Sequence, residues 1–168
     1  KKTVLIEEGS KSWVNLHDDL FFLKNGKHFI WSSERDGYRH LYLYNTDGQL
    51  VRQLTRGPWS VDALEAVDES KQKIYFSGRK DTALEKHLYS VSLSHQDSEN
   101  NVAKISQRPG YHQLSFSKNA ARYVDEFSTA TQPPQLSLHD NTGKQLSWLK
   151  ENHIDARHPL KPYQKDWI

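Results

Sequence analysis

His40-Leu41-Tyr42-Leu43-Tyr44, His87-Leu88-Tyr89-Ser90-Val91 and Gln135-Leu136-Ser137-Leu138-His139 are three versions of one stretch, and their spacing decides the fold. Leu41 and Leu88 stand 47 residues apart, and Leu88 and Leu136 stand 48 apart. Self-similarity at that period marks a repeat architecture. Each run alternates side chains as a half-buried strand does. A partner run precedes each one, at Phe29-Ile30-Trp31-Ser32, Ile74-Tyr75-Phe76-Ser77 and Tyr123-Val124-Asp125-Glu126-Phe127. Another follows, at Leu50-Val51-Arg52-Gln53-Leu54, Val102-Ala103-Lys104-Ile105 and Gln145-Leu146-Ser147-Trp148-Leu149. Asn25-Gly26, Asp47-Gly48 and Thr142-Gly143 supply residues suited to the positive φ of tight hairpins, and Asn100-Asn101 closes a longer polar loop. An aromatic and a short apolar run open each unit: Trp13 before Leu20-Phe21-Phe22-Leu23, Trp59 before Ala63-Leu64-Glu65-Ala66-Val67, and Tyr111 before Leu114-Ser115-Phe116.

Four strands per unit in meander order make a propeller blade. The expected fold is all-β, with three four-stranded antiparallel blades at 18–56, 62–108 and 111–151. Residues 1–9 read as the outer strand of a preceding blade, which completes a partial propeller over 1–151. Residues 152–168, punctuated by Pro159 and Pro162, read as an extended linker. Natural propellers need at least about four blades, so three form an open arc of a larger ring. An open arc exposes apolar blade flanks and favours self-association. A self-standing β-sandwich competes with this reading, but a Greek key has no need of equal spacing.

The chain has 168 residues, 23 Lys+Arg against 21 Asp+Glu, and a net charge of +2 with both signs scattered throughout. Such a pattern offers no basic stripe for a phosphate backbone, which argues against a nucleic-acid partner. No apolar run approaches the roughly 18 to 20 residues of a membrane-spanning helix. Without Cys there is no disulfide, no Cys-based zinc site and no thiol nucleophile. There is no Met either, and the chain opens inside a strand pattern, so the expectation is a piece of a longer protein. An apolar fraction of 35% points to a thin core supplied by aromatic and β-branched residues.

Meander topology sends the loops between second and third strands, and those joining consecutive blades, to one face of the arc. That face collects Trp13 to Asp19, Glu34 to Arg39, Gly57 to Asp62, Gly78 to Glu85, Pro109 to His112 and Ser128 to Pro134. Longer, chemically richer loops are where function concentrates. Within Trp13-Val14-Asn15-Leu16-His17-Asp18-Asp19, the paired carboxylates suit an amine or a metal with His17 as a ligand. The competing reading has Asp18 and Asp19 bonding nearby backbone. Arg35 and Arg39, interleaved with Glu34 and Asp36, read as a surface ion-pair ladder. No Gly-x-Ser-x-Gly elbow and no glycine-rich phosphate loop occur, and His40, His87 and His139 recur at the blade period. The expectation is a binding or gating module without catalytic residues, cofactor or metal. A His-rich metal-binding surface is a weaker alternative.

Trp13-Val14-Asn15-Leu16-His17-Asp18-Asp19-Leu20 and Phe29-Ile30-Trp31-Ser32-Ser33-Glu34-Arg35-Asp36-Gly37-Tyr38-Arg39-His40-Leu41-Tyr42-Leu43-Tyr44 closely resemble the propeller of the dipeptidyl peptidase IV family in its bacterial members, serine exopeptidases of prolyl-oligopeptidase type. The likeness continues through Thr55-Arg56-Gly57-Pro58-Trp59-Ser60-Val61 and Tyr111-His112-Gln113-Leu114-Ser115-Phe116-Ser117. The resemblance implies a parent enzyme with an eight-bladed propeller capping an α/β-hydrolase domain. Such an enzyme removes N-terminal dipeptides with Pro or Ala second and is favoured in the periplasm or cell envelope. The family's catalytic triad lies in the hydrolase domain, and its amine-gripping glutamate pair sits in an Asp-Trp-x-Tyr-Glu-Glu motif that this sequence lacks; Glu7-Glu8 does not match it. What the resemblance carries over is a substrate-cleft role for the Trp13 to Asp19 loop. The candidate residues are Asn15, His17, Asp18, Asp19 and Arg39, with peptide substrates and the parent's own hydrolase domain as partners. A TolB-like propeller that serves only protein interactions is the alternative.

Overall fold

A computed structural model describes residues 3–11, 13–94 and 102–153. Its strands are β1 (Leu20–Phe22), β2 (His28–Ser33), β3 (His40–Asn45), β4 (Leu50–Gln53), β5 (Val61–Asp68), β6 (Lys73–Gly78), β7 (His87–Ser92), β8 (Ala103–Lys104), β9 (Tyr111–Phe116), β10 (Arg122–Ser128), β11 (Gln135–Asp140) and β12 (Gln145–Lys150). They form three four-stranded meanders, β1-β2-β3-β4, β5-β6-β7-β8 and β9-β10-β11-β12, antiparallel throughout. The sheets follow one another as blades of an open arc.

Side-chain alternation along the strands explains how the blades stack. In β2 and β3, Ile30, Leu41 and Leu43 point into a core shared with the second blade, where they meet Trp59, Val61, Ile74, Phe76, Tyr89 and Val91. Their neighbours Phe29, Tyr42 and Tyr44 point to the opposite side, against Leu5, Ile6 and Trp31. In the second blade, Tyr75 and Leu88 turn towards Leu114, Ala120 and Tyr123 of the third. The third strands of the first two blades are therefore buried on both faces, where the sequence suggests half-buried ones. In β11 the alternation leaves Leu136 and Leu138 only partly covered. Buried on both faces, β3 and β7 gain the apolar stabilisation of two contacts, at roughly 25 cal/mol per Å² removed from water.

Residues 3–9 pair with no strand among the described residues; they lie along blade 1, with Leu5 and Ile6 against Phe29 and Trp31. Gly48, at φ +83°, makes this approach possible, since a Cβ there would sit 2.1 Å from the Leu5 carbonyl oxygen. Trp13, Trp59 and Tyr111 are not equivalent. Trp59 is a core residue, stacked on Phe76 at 5.9 Å and edge-on to His40 at 5.1 Å, whereas Trp13 is 76% exposed and Tyr111 lies within β9. His139 is not the repeat counterpart of His40 and His87. Those two begin β3 and β7, and each ring Nδ1 meets the hydroxyl that caps the following backbone, Thr55 at 3.1 Å and Ser106 at 2.9 Å. Gln135 holds that position in β11. The Asn100-Asn101 turn and all but the first two residues of the 152–168 linker lie outside the described residues.

Hydrogen bonds between blades confirm which loops share a face. Val61 N donates to Arg39 O at 2.8 Å, Arg79 N to Ser60 O at 3.1 Å, and Lys86 N to Gly110 O at 3.1 Å. The β2–β3 and β6–β7 loops thus meet the connections between blades on one side of the arc.

Candidate functional site

The Trp13 to Asp19 segment has no strand pairing, and it exposes Trp13 by 76% and Leu16 by 96%. Polar side chains hold it to the blades. Asn15 Nδ2 donates to Glu34 Oε2 at 2.8 Å. The His17 ring packs on Trp31 with centroids 4.4 Å apart. Asp19 N donates to His17 Nδ1 at 3.3 Å, and Ser32 Oγ lies 3.1 Å and 3.2 Å from the two nitrogens of the same ring. Ser32 Oγ in turn donates to Asp19 Oδ2 at 2.9 Å, and Asp19 Oδ1 accepts from Leu64 N of blade 2 at 2.9 Å. The trio has the composition of a hydrolase triad but not its connectivity: the serine gives its proton to the carboxylate rather than to the imidazole, and Ser32 is fully buried. It is a structural tie.

The five candidate residues do not form one site. Asn15 and His17 line a cleft of about 220 Å³ together with Glu8, Trp13, Glu34 and Arg35. Asp18 and Asp19 line a second cleft of about 280 Å³ on the inner-strand side, with Glu65, Glu69, Lys24 and Lys118. Arg39 lines neither of these two clefts. It spans two blades instead, its Nε 3.7 Å from Glu34 Oε1 and its guanidinium donating to the Asp62 carbonyl at 3.0 Å. Asp19 bonds backbone as the competing reading expects, but the backbone belongs to the next blade. In the second cleft, burial holds the Glu65 carboxyl above the usual carboxylate range, partly offset by Ser77 and Lys86.

The ion-pair ladder is wired differently from its order in sequence. Arg39 does pair with Glu34, but Arg35 turns to Glu8, its NH2 3.3 Å from Oε1. Glu8 also accepts from Trp31 Nε1 at 3.1 Å and Ser33 Oγ at 2.9 Å, which pins the N-terminal segment to β2. The Arg35 guanidinium lies 4.7 Å from the Tyr42 ring centroid. Asp36 accepts the Tyr42 hydroxyl at 2.7 Å; burial first, and this bond second, raise that phenol far above its ordinary range. On the blade 2 side, Asp62 pairs with Arg79 at 3.1 Å, and the Arg79 guanidinium lies 5.9 Å from the Tyr111 ring. Alternating charges therefore run from the loop at Asn15 across blade 2 to the edge of blade 3. Sequence reading misses Glu8 and Arg79, whose partners lie far along the chain with no local pattern to announce them.

Residues 1–134 match the family described as the dipeptidyl peptidase IV (DPP IV) N-terminal region. The chain belongs to that family. Curated relatives include dipeptidyl peptidase 4 of Trichophyton equinum, 28% identical over 162 residues that cover 89% of this chain and 21% of the relative. Dipeptidyl peptidase 4 of Arthroderma otae is 32% identical over 138 residues, covering 80% of this chain and 17% of the relative. Among solved structures, Porphyromonas gingivalis dipeptidyl peptidase 4 matches with a TM-score of 0.70 and 29% identity over 80% of this chain and 18% of that one. The chain spans about a fifth of the length of the relatives it matches.

Proposed function

We propose that this DPP IV propeller segment gates and positions peptide substrates over a serine hydrolase domain carried by the same polypeptide, which removes N-terminal dipeptides with Pro or Ala second. The observation that carries the reading is the family match over a chain whose richest loop, Trp13 to Asp19, stands open on one face beside a cleft lined by Glu8, Asn15, His17 and Glu34. A free peptide amine is cationic, and the Glu8 and Glu34 carboxylates that line this cleft favour its approach. A propeller over a catalytic chamber also excludes folded substrates by size. Chemistry belongs to the hydrolase domain, and the role of these residues is binding and admission. The test is hydrolysis of a Gly-Pro chromogenic substrate by the full-length polypeptide and by the 168-residue chain. The first is expected to turn over and the second not. Turnover by the chain alone, or none by the full-length polypeptide, overturns the proposal.

A further inference from the structure

We propose that Glu34 is the positioning residue of the Trp13 to Asp19 loop: its carboxylate, shared between the Asn15 amide and the Arg39 guanidinium, sets how far the loop stands from the blade and so the width of the adjoining cleft. The inference deepens the peptide-binding reading above and rests on it for the nature of the ligand.

Two halves of the loop are held by different means. The C-terminal half is anchored through the buried Ser32, which joins His17 to Asp19, and through the bond from Leu64 N to Asp19. The N-terminal half cannot be held by packing, because Trp13, Val14 and Leu16 are all exposed. Its side-chain tie is the 2.8 Å bond from Asn15 Nδ2 to Glu34 Oε2.

Glu34 is itself located from two directions. Its carbonyl accepts from Gly37 N at 2.9 Å, closing the β2–β3 turn. Its other carboxylate oxygen faces Arg39 Nε at 3.7 Å. Arg39 is in turn fixed to blade 2, by its guanidinium on the Asp62 carbonyl at 3.0 Å, its amide on Ser60 Oγ at 3.4 Å and its carbonyl on Val61 N at 2.8 Å. The neighbouring cation, Arg35, is committed to Glu8 and does not compete for Glu34. One oxygen therefore serves the loop and the other serves blade 2, and the carboxylate is the joint between them. Since Glu34 also lines the cleft, moving this joint changes the cleft wall. The Glu34 side chain is 39% exposed, so its ion pair adds little to global stability and acts on the loop instead.

The test compares Glu34→Ala, Glu34→Gln, Asn15→Ala and the Glu34→Ala/Asn15→Ala double variant in the full-length polypeptide that carries this segment. Amide hydrogen exchange over residues 13–16 reads the tether, and kinetics on the Gly-Pro chromogenic substrate reads the cleft. Exchange is expected to rise roughly two- to fivefold in both alanine variants, and less in Glu34→Gln, which keeps an acceptor for Asn15 but loses the charge facing Arg39. The double variant should be no worse than either single one, because both remove the same tie. KM should rise by a similar factor with kcat unchanged, as for a group acting on binding alone. Unchanged exchange in Glu34→Ala, or additive effects in the double variant, overturns the tether. Raised exchange with an unchanged KM overturns the link to the cleft. Absence of turnover by the unsubstituted polypeptide overturns the peptidase reading, while the exchange measurements still decide the role of Glu34.

Discussion

Replacing Asp19 with alanine separates a ligand from a tie. Its carboxylate accepts two hydrogen bonds, from Ser32 Oγ at 2.9 Å and from Leu64 N at 2.9 Å, and the second crosses from blade 1 to blade 2. Hydrogen bonds to a charged group contribute about 1.5–3 kcal/mol each, and partial exposure of Asp19 places both at the low end. The combined loss is about 2–3 kcal/mol, with the buried Ser32 hydroxyl and the Leu64 amide left short of a partner. At roughly 2–4 °C per kcal/mol for a chain of this size, the melting temperature should fall by about 5–10 °C. Asp19→Asn keeps an acceptor oxygen and should lose about half as much. Asp18→Ala is the control: its side chain is exposed, and surface changes of this kind stay within about 0.5 kcal/mol. Thermal denaturation followed by circular dichroism measures all three. If Asp19→Ala melted with the unsubstituted protein, the inter-blade tie would be refuted and a direct ligand role for Asp19 restored.

Acidification should lower stability through His40 and His87. Burial depresses both imidazoles below their ordinary value, so the unfolded chain, titrating near about 6.5, binds protons that the folded one resists. Their contribution is full above about pH 6.5 and declines as pH falls through the folded values; a melting temperature that stayed flat or rose from pH 7 to pH 5 would contradict this. Gly48→Ala should cost about 1–3 kcal/mol, because it strains a φ of +83° and drives a Cβ into the Leu5 carbonyl. It should also open residues 3–8 to protease, whereas Gly26→Ala, with nothing within 4 Å of its Cβ, should leave that segment protected. Leu20 and Phe22, 47% and 53% exposed, border an apolar hollow with Leu5, Ile6, Phe29 and Trp31. Sedimentation velocity should show the 168-residue chain self-associating with rising concentration, less so in Leu20→Glu/Phe22→Glu; a chain that stays monomeric would refute the role of this flank.

Much of the fold is local and was legible without coordinates. Strand positions follow from side-chain alternation in runs such as Phe29 to Ser32 and Ile74 to Ser77, and hairpins follow from Asn25-Gly26 and Asp47-Gly48, where one residue must adopt positive φ. The repeat then counted the blades. The loop-bearing face followed from connectivity alone, since a meander leaves no choice about which connections share a side.

What connectivity could not supply is the assignment of polar partners. Asp19 and Leu64 are 45 residues apart, and Glu8 and Arg35 are 27 apart. Arg35 stands next to Glu34 and Asp36 in sequence yet turns to Glu8, while Arg39 takes Glu34 across the turn. Adjacent residues on extended or turning backbone point in different directions, so charge order along the chain does not predict charge pairing. The same limit explains Trp59, whose role as an inter-blade core residue depends on the second blade packing over it. Burial on both faces likewise required the neighbouring blades to be in place. Strands, turns and family are thus readable from the residues alone, whereas which of the five candidate residues face a cleft and which tie blades together depends on packing, because hydrogen bonds and ion pairs are set by distances between side chains that the fold, not the chain order, brings together.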